Sequence, residues 1–143
     1  LTLTTTGRPV ITLGGAGPSQ VITITASNIP DAAPPIGLAL GFLFFSVGQI
    51  PSGIDLGPAG VDVGMGGCSL YVPSLDVILP FPIGLGGTPS QAVFSSAIPQ
   101  PLTAGQNFYA QALALFPPNS LPGGLNNFGG LMSNGVQLHF DLN

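Results

Sequence analysis

Apolar and polar residues alternate with a period of two in several separate stretches of the chain, and each stretch predicts a β-strand with one buried face. In residues 1–6, LTLTTT, Leu1 and Leu3 alternate with Thr2, Thr4 and Thr6, and Thr5 completes a run of strand-favouring types. Residues 10–13 form a second apolar run after Gly7-Arg8-Pro9, which reads as a hinge. In 20–27, QVITITAS, Ile22, Ile24 and Ala26 share one face while Val21, Thr23 and Thr25 share the other. Asn28-Ile29-Pro30-Asp31 and Pro34-Pro35 then close that strand.

Residues 36–47 are apolar on both faces, as a central strand requires, and Gly37 and Gly41 within them predict a bend or bulge. From 48 to 67 the glycine and proline density predicts a long shaped loop with a short strand near 54–56. Further strands are predicted at 68–72, 75–79 and 91–98, with the segment PFPIGLGGTP read as turn. Residues 106–116 place Phe108, Ala110, Ala112, Ala114 and Phe116 opposite Asn107, Tyr109, Gln111, Leu113 and Leu115. Their alanine and leucine content would also suit a helix, but Pro117-Pro118 and the surrounding strands favour a strand. The last stretch points Val136, Leu138, Phe140 and Leu142 inward and Gln137, His139, Asp141 and Asn143 outward.

With no internal repeat and no capped helical pattern, the expected fold is all-β: a β-sandwich of jelly-roll or immunoglobulin-like kind with about eight to ten strands. An N-terminal extension strand, residues 1–7, precedes the sandwich domain, residues 8–143.

Composition sharpens this picture. The 143 residues include 22 glycines and 16 prolines, yet 45% are hydrophobic and regularly spaced, which fits a packed, turn-rich domain. Only 4% are charged: one arginine and five aspartates, with a net charge of −4 and a mean hydropathy of +0.57. So few charges leave little to keep copies apart, so the chain is expected to live assembled with itself. A single basic residue excludes nucleic acid as a partner and argues against an anionic membrane surface. The longest apolar run, about 12 residues at 36–47, is shorter than the roughly 20 that a spanning helix needs, so no membrane insertion is expected. No basic stretch leads into an apolar core at the start, so a secreted form is expected to be a mature chain. Cys68, the one cysteine, reads as a small buried hydrophobe.

Catalytic chemistry has little to draw on. The ionisable supply is Asp31, Asp55, Asp62, Asp76, Asp141 and His139. His139 and Asp141 lie two apart on one strand, but no serine elbow accompanies them, so no catalytic residue, enzyme activity or cofactor is expected. Asp55 and Asp62 are candidates for a Ca²⁺ site in the long loop; their spacing matches no EF-hand, and turn-forming roles are favoured over metal. The pieces LGGAGPS and GMGGCS lack the lysine and following helix of a phosphate loop. Tyr71 and Tyr109, among many amides, are candidates for a glycan contact. There is no Asn-x-Ser/Thr sequon.

The stretch IPSGIDLGPAGVDVGMGGCSLYVPS resembles a pattern in secreted β-sandwich domains of environmental bacteria, with Ile50-Pro51, Asp55-Leu56-Gly57 and Gly67-Cys68 in the corresponding places. Phe108, Tyr109 and Gln111 match the Phe-Tyr-x-Gln strand of those domains, and Ser133 and Asn134 their Ser-Asn-Gly turn. Where such domains often carry Asp-Pro after the Gln strand, this chain has Phe116-Pro117. The whole is also similar in architecture to subunits of bacterial extracellular fibrils, in which a short N-terminal strand completes the sheet of the next subunit. That resemblance implies a secreted structural subunit of a helical filament, with Leu1, Thr2, Leu3, Thr4, Thr5 and Thr6 as the donor strand and Leu1 and Leu3 filling apolar sites on a neighbour. The alternative expectation is a carbohydrate-binding or adhesive module of a cell-surface protein.

Overall fold

The computed structural model describes residues 1–6, 10–11, 21–29, 39–83, 91–97, 106–119, 121, 126–139 and 141–142. Its regular structure there is entirely β: β1 (Thr2–Thr6), β2 (Val10–Ile11), β3 (Val21–Ser27), β4 (Ala39–Ser46), β5 (Ile54–Asp55), β6 (Ser69–Leu70), β7 (Val77–Ile83), β8 (Gln91–Ala97), β9 (Asn107–Leu115), β10 (Gly130–Met132), β11 (Val136–His139) and β12 (Asp141–Leu142). Among the described residues these make twelve stretches of strand, four of them only two residues long. The Gly7-Arg8-Pro9 hinge, Leu13, Gly37 and Phe140 lie outside the described residues, as do the side chains of Leu3, Thr5 and Thr6.

One antiparallel sheet has the order β1-β3-β8, and a second runs β10-β9-β4-β7 with β11 also on β9. Ile24 and Ala26 of the first sheet join Leu43, Phe81, Ile83, Ala110, Ala112, Ala114 and Leu138 of the second in one hydrophobic cluster. The period-two pattern dictates this arrangement, because strand neighbours point to opposite faces and alternate residues therefore share a fate. Small pairs of strands complete the fold: β5 with β6, and β12 with β2 in parallel.

Two departures from the sequence reading have physical causes. Gly41 marks no bulge: β4 pairs with β7 without interruption from Ala39↔Ile83 to Phe45↔Val77. A Cβ on Gly41 would lie 2.1 Å from ring atoms of Phe81, so the glycine makes room for an aromatic ring on the paired residue. The PFPI segment, expected as turn, continues β7. Pro80 and Pro82 are two apart, so their nitrogens face the same side; β7 sits at the sheet's edge, where missing donors are tolerated. The terminal alternation changes partner along its length: β11 pairs antiparallel with β9 and β12 parallel with β2, with Phe140 between them outside the described residues.

Replacing Gly41 with Ala is expected to destabilise the fold by about 1–3 kcal/mol through overpacking against Phe81. Urea denaturation checks this, and the Gly41→Ala/Phe81→Leu double variant should lose less than the sum of the two single changes.

Candidate functional site

Two regions concentrate the residues that sequence reasoning singled out. The first is the seam between β1 and β3, paired in register from Thr2↔Ser27 to Thr6↔Thr23 within the same chain. Three polar contacts lie along it. Asn28 Nδ2 donates to Thr2 Oγ1 at 3.1 Å, Ser27 Oγ donates to the Thr2 carbonyl at 3.4 Å, and Thr4 Oγ1 donates to the Thr25 carbonyl at 3.4 Å. Asn28 adopts a φ of 55°, a left-handed conformation that asparagine tolerates better than most residues, as the chain leaves β3. Leu1 is half-buried and packs on the central cluster. Among the described strands β1 has one neighbour, β3, so it is an edge strand held by backbone bonds, one apolar plug and a polar clamp at its first residues.

The second region is the outer face of the larger sheet. On β9 the buried alanines alternate with Tyr109, Gln111, Leu113 and Leu115, which therefore share the opposite face. Gln111 is fully buried there. Its Nε2 donates to the carbonyls of Ser69 (2.7 Å) and Ser133 (2.8 Å), and its Oε1 accepts from the Tyr71 amide (2.9 Å). Two carbonyls on one side and an N–H on the other fix the orientation of the carboxamide.

The β9 partner strand carries a bulge at this point. Met132 pairs with Leu113 and Val136 with Ala110, and Ser133 N bonds to Ala112 O, so Asn134 and Gly135 together oppose Gln111. Ser133 Oγ also accepts from Ala112 N at 2.8 Å. The residues 48–74 fold across this face: Met65 lies against Gly130, Cys68 Sγ donates to Gly130 O at 3.7 Å, and the Tyr71 ring lies close to Gly53 and Gly135. Cys68 is buried, as the sequence suggested.

The structure places Tyr109 two positions along β9 from Gln111, which bonds the Tyr71 backbone, so both tyrosines belong to the same outer face. Tyr109 is paired across the sheet with Ser46 on one side and Gln137 on the other. Beside them Asn107 Oδ1 accepts from Gln137 Nε2 at 2.8 Å and meets His139 Nδ1 at 2.6 Å. The other end of the face is apolar, with Leu40 and Ile78 exposed by 45% and 46%.

The aspartates serve turns. Asp55 Oδ1 accepts from Gly57 N at 2.6 Å, and Asp76 Oδ2 accepts from Val47 N at 3.1 Å and from Ser74 Oγ at 3.0 Å. Asp62 is exposed, and no group of three His, Cys, Asp or Glu side chains that could hold a metal ion occurs among the described residues. The Asp141 side chain and Asp31 lie outside the described residues.

Sequence reasoning missed Gln111 as a buried tie, assigning it simply to the polar face of its strand. The available signal was a lone amide between Ala110 and Ala112 that recurs with Ser133 in the patterns singled out above. Asn126 was also missed: it is buried, with Oδ1 accepting from Gly129 N at 2.9 Å and Nδ2 donating to Gly130 O at 2.8 Å. Comparison with protein-family models, curated proteins and solved structures found no match.

Gln111→Leu keeps the side-chain size but strands a buried amide and two carbonyls, and is expected to cost about 2–5 kcal/mol in chemical denaturation. Gln111→Glu should be at least as damaging, because it sets an acceptor against two carbonyl oxygens. The Tyr71 amide should lose protection from hydrogen exchange in Gln111→Leu, which removes its acceptor.

Proposed function

We propose that the chain is a structural subunit of a secreted, extracellular helical fibril, in which β1 of one copy occupies the β3 edge of the next. The observation that carries this reading is the seat of β1: an edge strand with a single neighbour, clamped at its first residues and joined to the body through Gly7-Arg8-Pro9. A strand that fills such an edge within its own chain makes the same contacts when it fills the edge of another copy, which is the basis of strand exchange. Head-to-tail exchange generates a helical filament where the rotation between successive copies does not close into a ring.

The scarcity of charge supports the same reading, since little electrostatic repulsion opposes contact between copies. Elsewhere the fold disfavours casual edge pairing: the prolines of β7 interrupt the donors that another strand would need. Leu1 supplies an apolar anchor, and burying a leucine contributes about 1.5–3 kcal/mol. Five paired residues and one anchor give modest affinity, so contacts between subunit bodies add to the junction.

The Thr4↔Thr25 pair allows a direct test, because paired strand residues lie within disulfide reach. In the Thr4→Cys/Thr25→Cys variant, oxidation after assembly at low micromolar concentration should give a ladder of covalent oligomers on a non-reducing gel; monomer alone overturns exchange. Deletion of residues 1–7 should leave folded protein that forms no filaments by negative-stain electron microscopy, whereas the full chain forms filaments that persist in molar salt.

A further inference from the structure

The geometry points to a binding site for a neutral saccharide on the polar end of the outer sheet face, built from Tyr109, Asn107 and Gln137 and flanked by Tyr71 and His139. This site is separate from the β1 seam and does not depend on the strand-exchange reading.

Three observations converge on this ligand class. First, Asn107 Oδ1 accepts from Gln137 Nε2 and meets His139 Nδ1, which holds three planar polar groups side by side on adjacent strands. That arrangement leaves Asn107 Nδ2 and Gln137 Oε1 without a hydrogen bond among the described residues, a donor and an acceptor whose orientation is already set. Vicinal hydroxyls, each both donor and acceptor, match such a pair. Second, Tyr109 is paired directly with Gln137 in the β9–β11 register and is half-buried, so it shares the outer face with the amide pair. An aromatic ring next to a few placed polar groups suits a ligand with an apolar C–H face and a hydroxyl rim.

Third, Tyr71 borders the same face. A Cβ on Gly135 would sit 3.0 Å from Tyr71 Cβ, and one on Gly53 would sit 2.9 Å from its ring, so two glycines let this side chain lie close to the backbone. The two tyrosines are the chain's only ones, and both belong to the outer face. Formal charge is absent from Ser46, Tyr71, Asn107, Tyr109 and Gln137. The Asp76 carboxylate, which reaches Ser46 through the Ser74 hydroxyl, is already engaged by Val47 N. A neutral ligand therefore loses no counter-charge on binding here, whereas an acidic one finds no lysine or arginine among these residues.

Isothermal titration calorimetry on the full chain tests the site, using maltotriose, cellotriose and triacetylchitotriose as neutral probes and trigalacturonate as the acidic one. At least one neutral trisaccharide should bind, Tyr109→Phe should keep the affinity, and Tyr109→Ala should weaken it about tenfold. Gln137→Leu, at an exposed position that leaves the fold intact, should weaken it several-fold. No heat with any neutral probe, a preference for trigalacturonate, or binding unaltered by both Tyr109→Ala and Gln137→Leu overturns the assignment. Because calorimetry reads assembled and unassembled protein alike, failure of the filament reading leaves this result interpretable.

Discussion

The buried carboxamide of Gln111 is the contact around which the larger sheet is organised. It ties three segments far apart in sequence, the β6 end at Ser69 and Tyr71, the strand β9, and the bulge at Ser133, through three hydrogen bonds of 2.7–2.9 Å. An unpaired amide in that position would be costly, and each partner would be equally stranded without it. The bulge it supports also sets the facing of β11. One extra residue there restores the alternation that sends Leu138 to the core and Gln137 and His139 outward; a one-residue slip would reverse all of them.

Around that tie the chain manages an unusual shortage of charge. Most soluble domains protect their edges with lysine, and this one has none. Prolines take that part at β7, and the folded-over residues 48–74 cover part of the outer face, leaving Leu40 and Ile78 exposed on it. Polar side chains are spent internally, on Gln111, Ser133, Asn126 and Ser46, where each secures backbone groups that the loops would otherwise leave unpaired.

Much of the fold was legible because the alternation was clean. β3, β9 and β11 follow directly from period-two patterns, and the burial of Ile24, Ala26, Ala110, Ala112, Ala114 and Leu138 matches the faces those patterns assign. What was not legible was relational. Gly41 reads as a bend until Phe81 is known to lie on the residue opposite; the prolines of β7 read as a turn until the strand is known to be at an edge. Gln111 looks like an ordinary surface amide unless the residues that cover it are known. For the candidate sites, the sequence singled out β1 and both tyrosines as candidates, but the Asn107, Gln137 and His139 cluster arises from the β9–β11 register, which no local pattern encodes.

The asymmetry of the β1 seam has a mechanical meaning. Leu1 and the Asn28 clamp hold the far end of the strand, while the link to the rest of the chain leaves from Thr6. In the proposed fibril, tension enters each junction at Thr6, the end opposite the Asn28 clamp, and reaches the anchor only through the five intervening residue pairs. Pulled along its axis, the strand loads those pairs together in shear; pulled sideways, it peels from Thr6 and parts with the clamp last. The junction is therefore built to stretch and reseat under lateral strain before it lets go.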